Sequence, residues 1–264
     1  MKNIFIVILS IILILIGTPK VYAPAGNPIT ITILYDNYVF NEELKTDWGF
    51  SCVIEGTEKT ILFDTGTKSD ILFQNIKKLK VDPEAVELVA ISHHHGDHFG
   101  GLFSFLKENN EVTVYLPVSF PDKFFRRVEK TEAKAVAVDK PVEICKDVFL
   151  TGEMGDRIKE QSLILNTDQG FVVITGCAHP GIVKIVKRAK EILDKKIYLV
   201  CGGFHLLEKS EGEIKEIISQ FKDLGVLKVG ATHCTGDQAI ESFKEAYGKN
   251  FVQMGVGRVL KIAD

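Results

Sequence analysis

Four of the six residues in a stretch that begins at position 93 are histidines, and a fifth is an aspartate: His-His-His-Gly-Asp-His. An apolar run precedes the stretch and a glycine-containing apolar run follows it. This order predicts a buried strand, a loop that carries ligands, and then a helix. Because alternate side chains of an extended segment lie on one side, His93 and His95 can converge on one metal ion. Asp97 and His98 follow a glycine, where the backbone can turn, and could bind a second metal beside the first.

The distribution of histidine along the chain favours a metal site over two simpler explanations, a solvated polar loop and an accidental metal-affinity run. All seven histidines fall in short motifs that contain glycine or cysteine and closely follow an apolar, strand-like run. These motifs are 93-HHHGDH-98, 177-CAHPG-181, 202-GGFHL-206 and 232-THCTG-236. We expect them to meet as loops at one edge of a sheet. Imidazoles with one carboxylate suit Zn²⁺, and less exclusively iron or manganese.

The spacing His-x-His-x-Asp-His after a hydrophobic strand resembles the signature of the metallo-β-lactamase fold superfamily. Asp64 in 61-ILFDTG-66, His179 and His233 resemble its other motif residues. Further stretches are most similar to the branch labelled 7,8-dihydropterin-6-methyl-4-(β-D-ribofuranosyl)aminobenzene-5'-phosphate synthase-like. They are 48-WGFSCVIEG-56, 92-SHHHGDHFGGL-102, 176-GCAHPGI-182, 202-GGFHL-206 and 231-ATHCTG-236.

This resemblance implies two divalent metal ions, most simply Zn²⁺, with Mn²⁺ or Fe²⁺ as alternatives. It assigns to one metal His93, His95 and His179, and to the other Asp97, His98 and His233. It also implies that Asp64 steadies a ligand histidine, although an aspartate at a strand end could equally be a turn residue or a helix cap. His94 has no role in the superfamily pattern.

The resemblance further implies a metal-dependent hydrolase. Two cations about 3.5–4 Å apart that share a water lower its pKa towards about 7. A hydroxide held by the metals would then attack an ester, phosphoester or lactone, with Asp97 orienting the nucleophile. Two other functions stay open: a synthase or transferase that makes a pterin-type precursor, and a non-hydrolytic metal-binding protein. A true β-lactamase is not expected, and serine catalysis is not supported, since the chain has no Gly-x-Ser-x-Gly elbow.

One place departs from the superfamily pattern. The superfamily commonly supplies a bridging aspartate, or in some lactamases a cysteine, after the strand predicted over residues 197–200. This chain has Cys201-Gly202-Gly203-Phe204-His205 there, with no carboxylate before Glu208. His205 could replace the missing ligand, contact the substrate, or pack against its apolar neighbours. We predict that His205 points into the site as a catalytic residue, and that one metal binds less tightly than the other.

The five cysteines are an odd number and do not predict a disulfide framework. Three of them adjoin the candidate metal loops, which could indicate thiolate ligands. Cys234 directly follows His233, however, and adjacent side chains tend to point apart. We therefore predict that Cys177, Cys201 and Cys234 are small buried hydrophobic residues.

The succession of strands and helices predicts the α/β architecture that the resemblance implies, an αββα sandwich of two mixed β-sheets flanked by helices. Strands are predicted over residues 29–35, 50–55, 60–63, 87–91, 112–116, 135–138, 147–150, 162–165, 171–175, 197–200, 226–231, 251–254 and 258–262. Helices are predicted over residues 68–80, 180–193, 211–223 and 237–247. The aromatic and basic residues of the segment 120–130 indicate either a substrate lid with an anion-binding face or, as we predict, a surface helix with its aromatic side chains docked inward.

Residues 1–25 are predicted to lie outside this domain, which spans residues 26–264. Lys2 precedes an apolar run from residue 4 to residue 16. The run is shorter than the roughly 20 residues that span a bilayer and fits a signal-peptide core of about 7–15 residues. We predict cleavage after Ala25 and export to the periplasm or the exterior; an uncleaved membrane anchor is the alternative. A net charge of −3 favours a small-molecule substrate over nucleic acid.

Overall fold

Strands and helices follow one another in two successive runs. The computed structural model describes residues 28–262, and the predicted signal peptide lies outside them. The first run consists of β1 (Ile29–Tyr35), β2 (Ser51–Glu55), β3 (Ile61–Phe63), α1 (Ser69–Leu79), β4 (Leu88–Ala90), α2 (Gly96–Phe99), α3 (Leu102–Glu108), β5 (Thr113–Pro117), α4 (Asp122–Glu129) and β6 (Lys134–Val138). The second consists of β7 (Val142–Cys145), β8 (Val148–Leu150), β9 (Leu163–Thr167), β10 (Gly170–Thr175), α5 (Ile182–Ile192), β11 (Ile197–Gly203), α6 (Glu211–Asp223), β12 (Lys228–Thr232), α7 (Asp237–Tyr247) and β13 (Val259–Ile262).

The strands form two mixed sheets. The first has seven strands in the order β13-β1-β2-β3-β4-β5-β6, and the second has six in the order β12-β11-β10-β9-β8-β7. Strands β3 to β6 run parallel to one another, and so do β10 to β12. The remaining neighbours are antiparallel, including β13, which returns to pair with β1 in the first sheet.

The space between the sheets is filled by apolar side chains that alternate along each strand. In β10, Val172 and Ile174 pack into this interior, whereas Phe171 and Val173 pack against helices on the other face. All four are fully buried. Because both faces of β10 are covered, its sequence is an unbroken apolar run instead of an alternation of polar and apolar residues.

Helices cover the outer face of each sheet. The first sheet is covered by α1, α3 and α4, and the second by α5, α6 and α7. The start of α6 is fixed by a capping box, in which Ser210 and Glu213 each accept a hydrogen bond from the other's backbone N–H. The layers are therefore helix, sheet, sheet and helix, and the predicted αββα sandwich is confirmed.

The segment 120–130 forms α4 and its flanks. Phe120 and Phe124 are buried beneath it, and the guanidinium of Arg127 stacks 3.6 Å from the ring centroid of Phe103. The prediction of a surface helix with docked aromatic side chains is therefore confirmed.

Two predictions about strands were wrong. Residues 251–254 form no strand, because Phe251 makes only an isolated bridge to Val229. The short strand β7 was missed; it lies at the edge of the second sheet, and its first two residues, Val142 and Glu143, are exposed. No helix within residues 28–262 is long and apolar enough to cross a membrane.

Candidate metal centre

Five loops meet at one edge of the two sheets, each directly after a strand that has a parallel neighbour. They follow β3, β4, β10, β11 and β12, and they carry, in that order, Asp64, residues 93–98, residues 177–179, His205 and His233. Parallel strands end at the same edge of a sheet, where loops at their carboxyl ends commonly form binding sites. The topology therefore explains why residues far apart in the chain come together.

The side chains form three groups of possible metal ligands, and within each group the donor atoms lie within 4.8 Å of one another. The histidine group contains His93, His95 and His179, the mixed group contains Asp97, His98, Cys177 and His233, and the third group contains Cys177, His205 and Cys234. The histidine group and the mixed group adjoin, since the ring centroids of His93 and His98 are 4.2 Å apart. The structure thus brings all six predicted ligands into one centre and divides them as the sequence analysis assigned them.

Asp64 lies behind this centre and is fully buried. Its Oδ2 accepts hydrogen bonds from Nδ1 of His98 and from Oγ of Ser92, both at 2.7 Å, and its Oδ1 accepts one from the Ser92 N–H at 2.7 Å. Ser92 Oγ lies 2.9 Å from Nδ1 of His93. Because Nδ1 of each ring is held from behind, His93 and His98 present Nε2 to the centre.

His233 is oriented in the same way by Asn37, whose Oδ1 lies 2.8 Å from Nδ1 of the imidazole. Nε2 of His233 is buried and forms no hydrogen bond, although Oδ2 of Asp97 lies 3.4 Å away. Nε2 of His179 is also buried without a hydrogen-bond partner. Buried polar atoms without partners are costly, and a divalent cation would provide one for each nitrogen. The residues present therefore fit a metal ion.

The local electrostatics keep most of these imidazoles neutral. Burial lowers the pKa of His93 well below its usual value, and burial with neighbouring imidazoles lowers the pKa of His179 to about 3. Burial also opposes a charge on His98, but Asp64 and Asp97 outweigh it and raise the pKa of His98 to about 10. A cation that binds His98 must therefore displace a proton, whereas the histidine group is ready to coordinate.

Four loop residues around the centre have a left-handed backbone. The φ angles are 56° at Asp64, 63° at Ala178, 53° at His205 and 53° at His233. This conformation costs a residue other than glycine roughly 1–2 kcal/mol. Such strain is typical of functional loops, where the surrounding structure holds the backbone in place.

Glu160 anchors the loop that carries His179. Its Oε1 accepts hydrogen bonds from the N–H groups of Cys177 and Ala178 at 3.0 and 2.8 Å, and its Oε2 accepts one from the N–H of His179 at 2.8 Å. Burial raises the pKa of Glu160 to about 7, although these hydrogen bonds oppose the shift. The sequence analysis missed Glu160 because nothing in the sequence connects it to a loop 17 residues later. Asn37 was missed for the same reason.

His205 lies at the mouth of the centre and belongs to the third group, which shares Cys177 with the mixed group. Its ring centroid is 4.2 Å from that of His179, and its donor atom lies within 4.8 Å of the sulfur atoms of Cys177 and Cys234. A hydrogen bond with Cys234 raises the pKa of His205. The roles considered for His205, as a replacement ligand or as a contact to the substrate, stay predictions.

The prediction that three cysteines are small buried hydrophobic residues was only partly correct. Cys177, Cys201 and Cys234 are all buried, but only Cys201 packs into the apolar interior between the sheets. Sγ of Cys177 lies 3.2 Å from Nε2 of His98. The left-handed backbone at Ala178 lets Cys177 and His179 both reach the centre, and no sequence pattern indicates that conformation.

His94 lies outside all three groups, as its absence from the superfamily pattern led us to expect. Its exposed imidazole stacks on Phe99 with ring centroids 5.1 Å apart and contacts Phe120 edge-on at 4.8 Å. The side chain therefore packs on the aromatic cluster beside α4.

A cleft of about 520 Å³ opens beside the centre, between α5 and α6. We call it the lysine cleft. Its walls are apolar and include Ile182, Phe204, Leu206 and Ile217. Its rim is cationic and includes Lys184, Lys187 and Lys209. The cleft also reaches two histidines of the centre, His179 and His205. Lys184 and Lys187 are exposed and, within residues 28–262, form no salt bridge, whereas Lys209 pairs with Glu213 at 2.7 Å.

Comparison with known proteins agrees with this geometry. The family model described as the metallo-beta-lactamase superfamily matches residues 49–182, which is just over half of the chain. The chain belongs to the metallo-β-lactamase superfamily. The matched region contains Asp64, the 93–98 stretch and His179, so the resemblance found in the sequence is confirmed.

Relatives within the metallo-β-lactamase superfamily carry different functional names. The 7,8-dihydropterin-6-methyl-4-(β-D-ribofuranosyl)-aminobenzene-5'-phosphate synthase of Methanocaldococcus jannaschii is 30% identical, over 88% of this chain and 96% of its own length. The crystal structure of Tm1679, described as a metal-dependent hydrolase of the β-lactamase superfamily, is 30% identical with a TM-score of 0.76, covering 89% of this chain and all of that one. Human tRNase Z, short form, shares the fold at 16% identity with a TM-score of 0.62, covering 89% of this chain and all of its own.

The structure also explains the departure from the metallo-β-lactamase pattern after β11. A Cβ atom on Gly203 would lie 2.3 Å from the carbonyl oxygen of Gly176 and 2.7 Å from Sγ of Cys234. Both distances are far below van der Waals contact, so a carboxylate side chain does not fit at Gly203.

Proposed function

We propose that the protein is a metal-dependent hydrolase that holds two divalent cations, most simply Zn²⁺, and cleaves an ester, phosphoester or lactone. The observation that carries the proposal is the pair of adjoining ligand groups, in which Nε2 of His179 and Nε2 of His233 are buried without partners. Bound cations would supply a Lewis acid and lower the pKa of a water molecule to about 7.

The residues of the centre would orient the reactants. Burial would raise the pKa of Asp97, but His98 and His233, whose Nε2 atoms each lie 3.4 Å from its Oδ2, outweigh burial and hold that pKa far below its usual value. The ionised Asp97 can accept a hydrogen bond from the attacking water and fix its direction. His205 lines the lysine cleft at the mouth of the centre, where its imidazole can contact the substrate and protonate the leaving group.

The lysine cleft favours an anionic substrate among the three classes. Its apolar walls suit a carbon skeleton or an aromatic ring, and Lys184 and Lys187 are available to attract a negative charge. A phosphoester has a carbon skeleton, a negative charge and an electrophilic phosphorus atom.

A second candidate is the synthase or transferase activity of the branch. It is favoured by the 30% identity to the Methanocaldococcus jannaschii synthase over nearly the full length of both chains. The product named for that relative contains a 5'-phosphate, which the lysine cleft could also accommodate.

A substrate panel distinguishes the two candidates. Metal-depleted protein is reconstituted with Zn²⁺, Mn²⁺ or Fe²⁺ and assayed with p-nitrophenyl phosphate, bis(p-nitrophenyl) phosphate, p-nitrophenyl acetate and a γ-lactone. The hydrolase proposal expects metal-dependent turnover, with the phosphoesters preferred. Lys184→Gln should raise KM for the phosphoesters with kcat retained, whereas Lys190→Gln, on α5 but outside the cleft, should not. No turnover of any substrate, with formation of the pterin product, would favour the synthase.

A further inference from the structure

The mixed group contains a thiol, Cys177, in addition to the three ligands that the resemblance assigned to the second metal. Cys177 is 4% exposed, and its Sγ lies 3.2 Å from Nε2 of His98. It also lies within 4.8 Å of the donor atoms of Asp97 and His233. Four donors from four side chains thus surround one position, which is the number that a tetrahedral zinc site requires.

Cys177 is held at this position by its surroundings. Its N–H donates to Oε1 of Glu160 at 3.0 Å. The preceding residue, Gly176, runs so close to Ser92 that a Cβ atom there would lie 2.2 Å from Oγ of Ser92 and 2.9 Å from Oδ2 of Asp64. The backbone before Cys177 therefore packs directly on Asp64 and Ser92, the two residues that orient His98 and His93. The thiol and the imidazoles share one rigid support.

The loop after β11 supplies no carboxylate to the centre. The sequence has none between Cys201 and Glu208, and at Gly203 the carbonyl of Gly176 and the sulfur of Cys234 already fill the space. Among the six predicted ligands, Asp97 alone carries a negative charge, and Asp64 adds a second one only from behind His98. A thiolate at Cys177 would supply a second negative charge among the ligands themselves, from the neighbouring loop.

We propose that Cys177 binds the second metal as a thiolate, together with Asp97, His98 and His233. On binding, the Cys177 S–H bond breaks, its proton leaves to solvent, and the sulfur forms a bond to the cation. A soft thiolate selects Zn²⁺ over Mn²⁺ and Mg²⁺, so the mixed group is a zinc position. The inference rests on the two-metal centre proposed above and is independent of the reaction.

The test is spectroscopic. Metal-depleted full-length protein is loaded with Co²⁺, and absorption is recorded in the near ultraviolet, where only thiolate ligands give a strong charge-transfer band. We expect the band in the wild type, its loss in Cys177→Ala and Cys177→Ser, and its retention in the matched controls Cys234→Ala and Cys201→Ala. Removal of the Cys177 thiol should lower the affinity for the second metal by at least roughly 10–100-fold, the loss that removal of a supporting partner causes.

X-ray absorption on the zinc-loaded wild type gives an answer that needs no variant. A sulfur neighbour at about 2.3 Å from part of the zinc is expected. Two zinc ions with only nitrogen and oxygen neighbours would overturn the thiolate and leave the metal-dependent function intact. A band that disappears in Cys234→Ala but not in Cys177→Ala would also overturn it. Failure to bind any metal would overturn both proposals.

Discussion

Three imidazoles of the centre depend on one other residue each for the direction of their rings. Asp64 holds His98, Ser92 holds His93, and Asn37 holds His233. In each case the contact is at Nδ1, so Nε2 faces the centre with a fixed tautomer. Ligand direction is thus set by residues that would not touch the metal.

Replacement of His95 should abolish function, whereas replacement of His94 should not. His95 belongs to the histidine group, while His94 packs on Phe99. We expect His95→Ala to lose turnover and the cation of the histidine group, and His94→Ala to retain most of its turnover and both cations, measured as kcat/KM and metal content per chain. Equal losses in the two variants would show that the ligands were assigned in the wrong register.

Asp36 should make stability depend on pH. Burial raises its pKa to about 6 from an ordinary value of 3.8, and its Oδ2 accepts a hydrogen bond from Thr232 at 2.7 Å. The native state therefore binds the proton more tightly than the unfolded chain, and the contribution of Asp36 falls as pH rises from about 4 to about 6. The difference in the free energy of unfolding between the wild type and Asp36→Asn should change by up to roughly 3 kcal/mol over this pH range.

Urea unfolding of metal-depleted wild type and Asp36→Asn at several pH values between 4 and 7 measures this difference. A constant difference across that range would contradict a raised pKa at Asp36.

The limits of sequence reasoning are clearest at single residues. The six residues predicted as ligands could be found from the sequence because their types and spacing are local features of short motifs. The position of Cys177 beside His98 could not be predicted, because it depends on the backbone at Ala178 and on the hydrogen bond that the Cys177 N–H donates to the distant carboxylate of Glu160. The backbone does turn at Gly96, where the extended chain at His95 enters α2, but the turn needs no positive φ, and a Cβ atom there would contact nothing within 4 Å.

At the scale of elements, the site depends on how parallel strands end. Strands β3 and β4 in one sheet, and β10 to β12 in the other, deliver their loops to the same edge. The long strands and helices that support these loops were predictable from apolar periodicity. The segment between β8 and β9, which carries Glu160, was not, because its partners are backbone N–H groups of another loop.

Glu160→Gln should weaken metal binding without unfolding the protein. The side-chain amide of the glutamine would place an N–H donor against one of the N–H groups of the 177–179 loop. Because two donors cannot bond to each other, the loop should shift and displace both His179 and Cys177. A loss of metal affinity of roughly 10–100-fold is expected. Glu143→Gln is the matched control, because Glu143 also accepts a backbone N–H, from Asp147 at 3.0 Å, on the exposed surface. Equal affinities in the two variants would contradict an anchoring role for Glu160.

At the scale of the whole molecule, the histidine group and the mixed group join the two sheets. In each group, the residues from positions 93–98 come from the first sheet, and Cys177, His179 and His233 come from the second. A bound cation would therefore link the sheets at this edge. The four-layer architecture was predictable from the order of elements, whereas this linkage required the geometry.

Metal removal should accordingly lower thermal stability. With free metal at about 100 times its Kd, one site contributes about 2.7 kcal/mol, which corresponds to roughly 5–10 °C in Tm for a protein of this size. Calorimetry before and after chelation measures the shift, which should persist in His94→Ala and shrink in His95→Ala. An unchanged Tm after chelation would mean that the cation does not link the sheets.

The number of cations bound per chain tests the two-metal centre most directly. Zinc titrated into metal-depleted protein, followed by calorimetry and confirmed by elemental analysis, should saturate at two equivalents per chain in the wild type. In His95→Ala, the histidine group should lose its cation, while the mixed group should still bind one. Saturation of the wild type at one equivalent, or no binding at all, would contradict the two-metal centre.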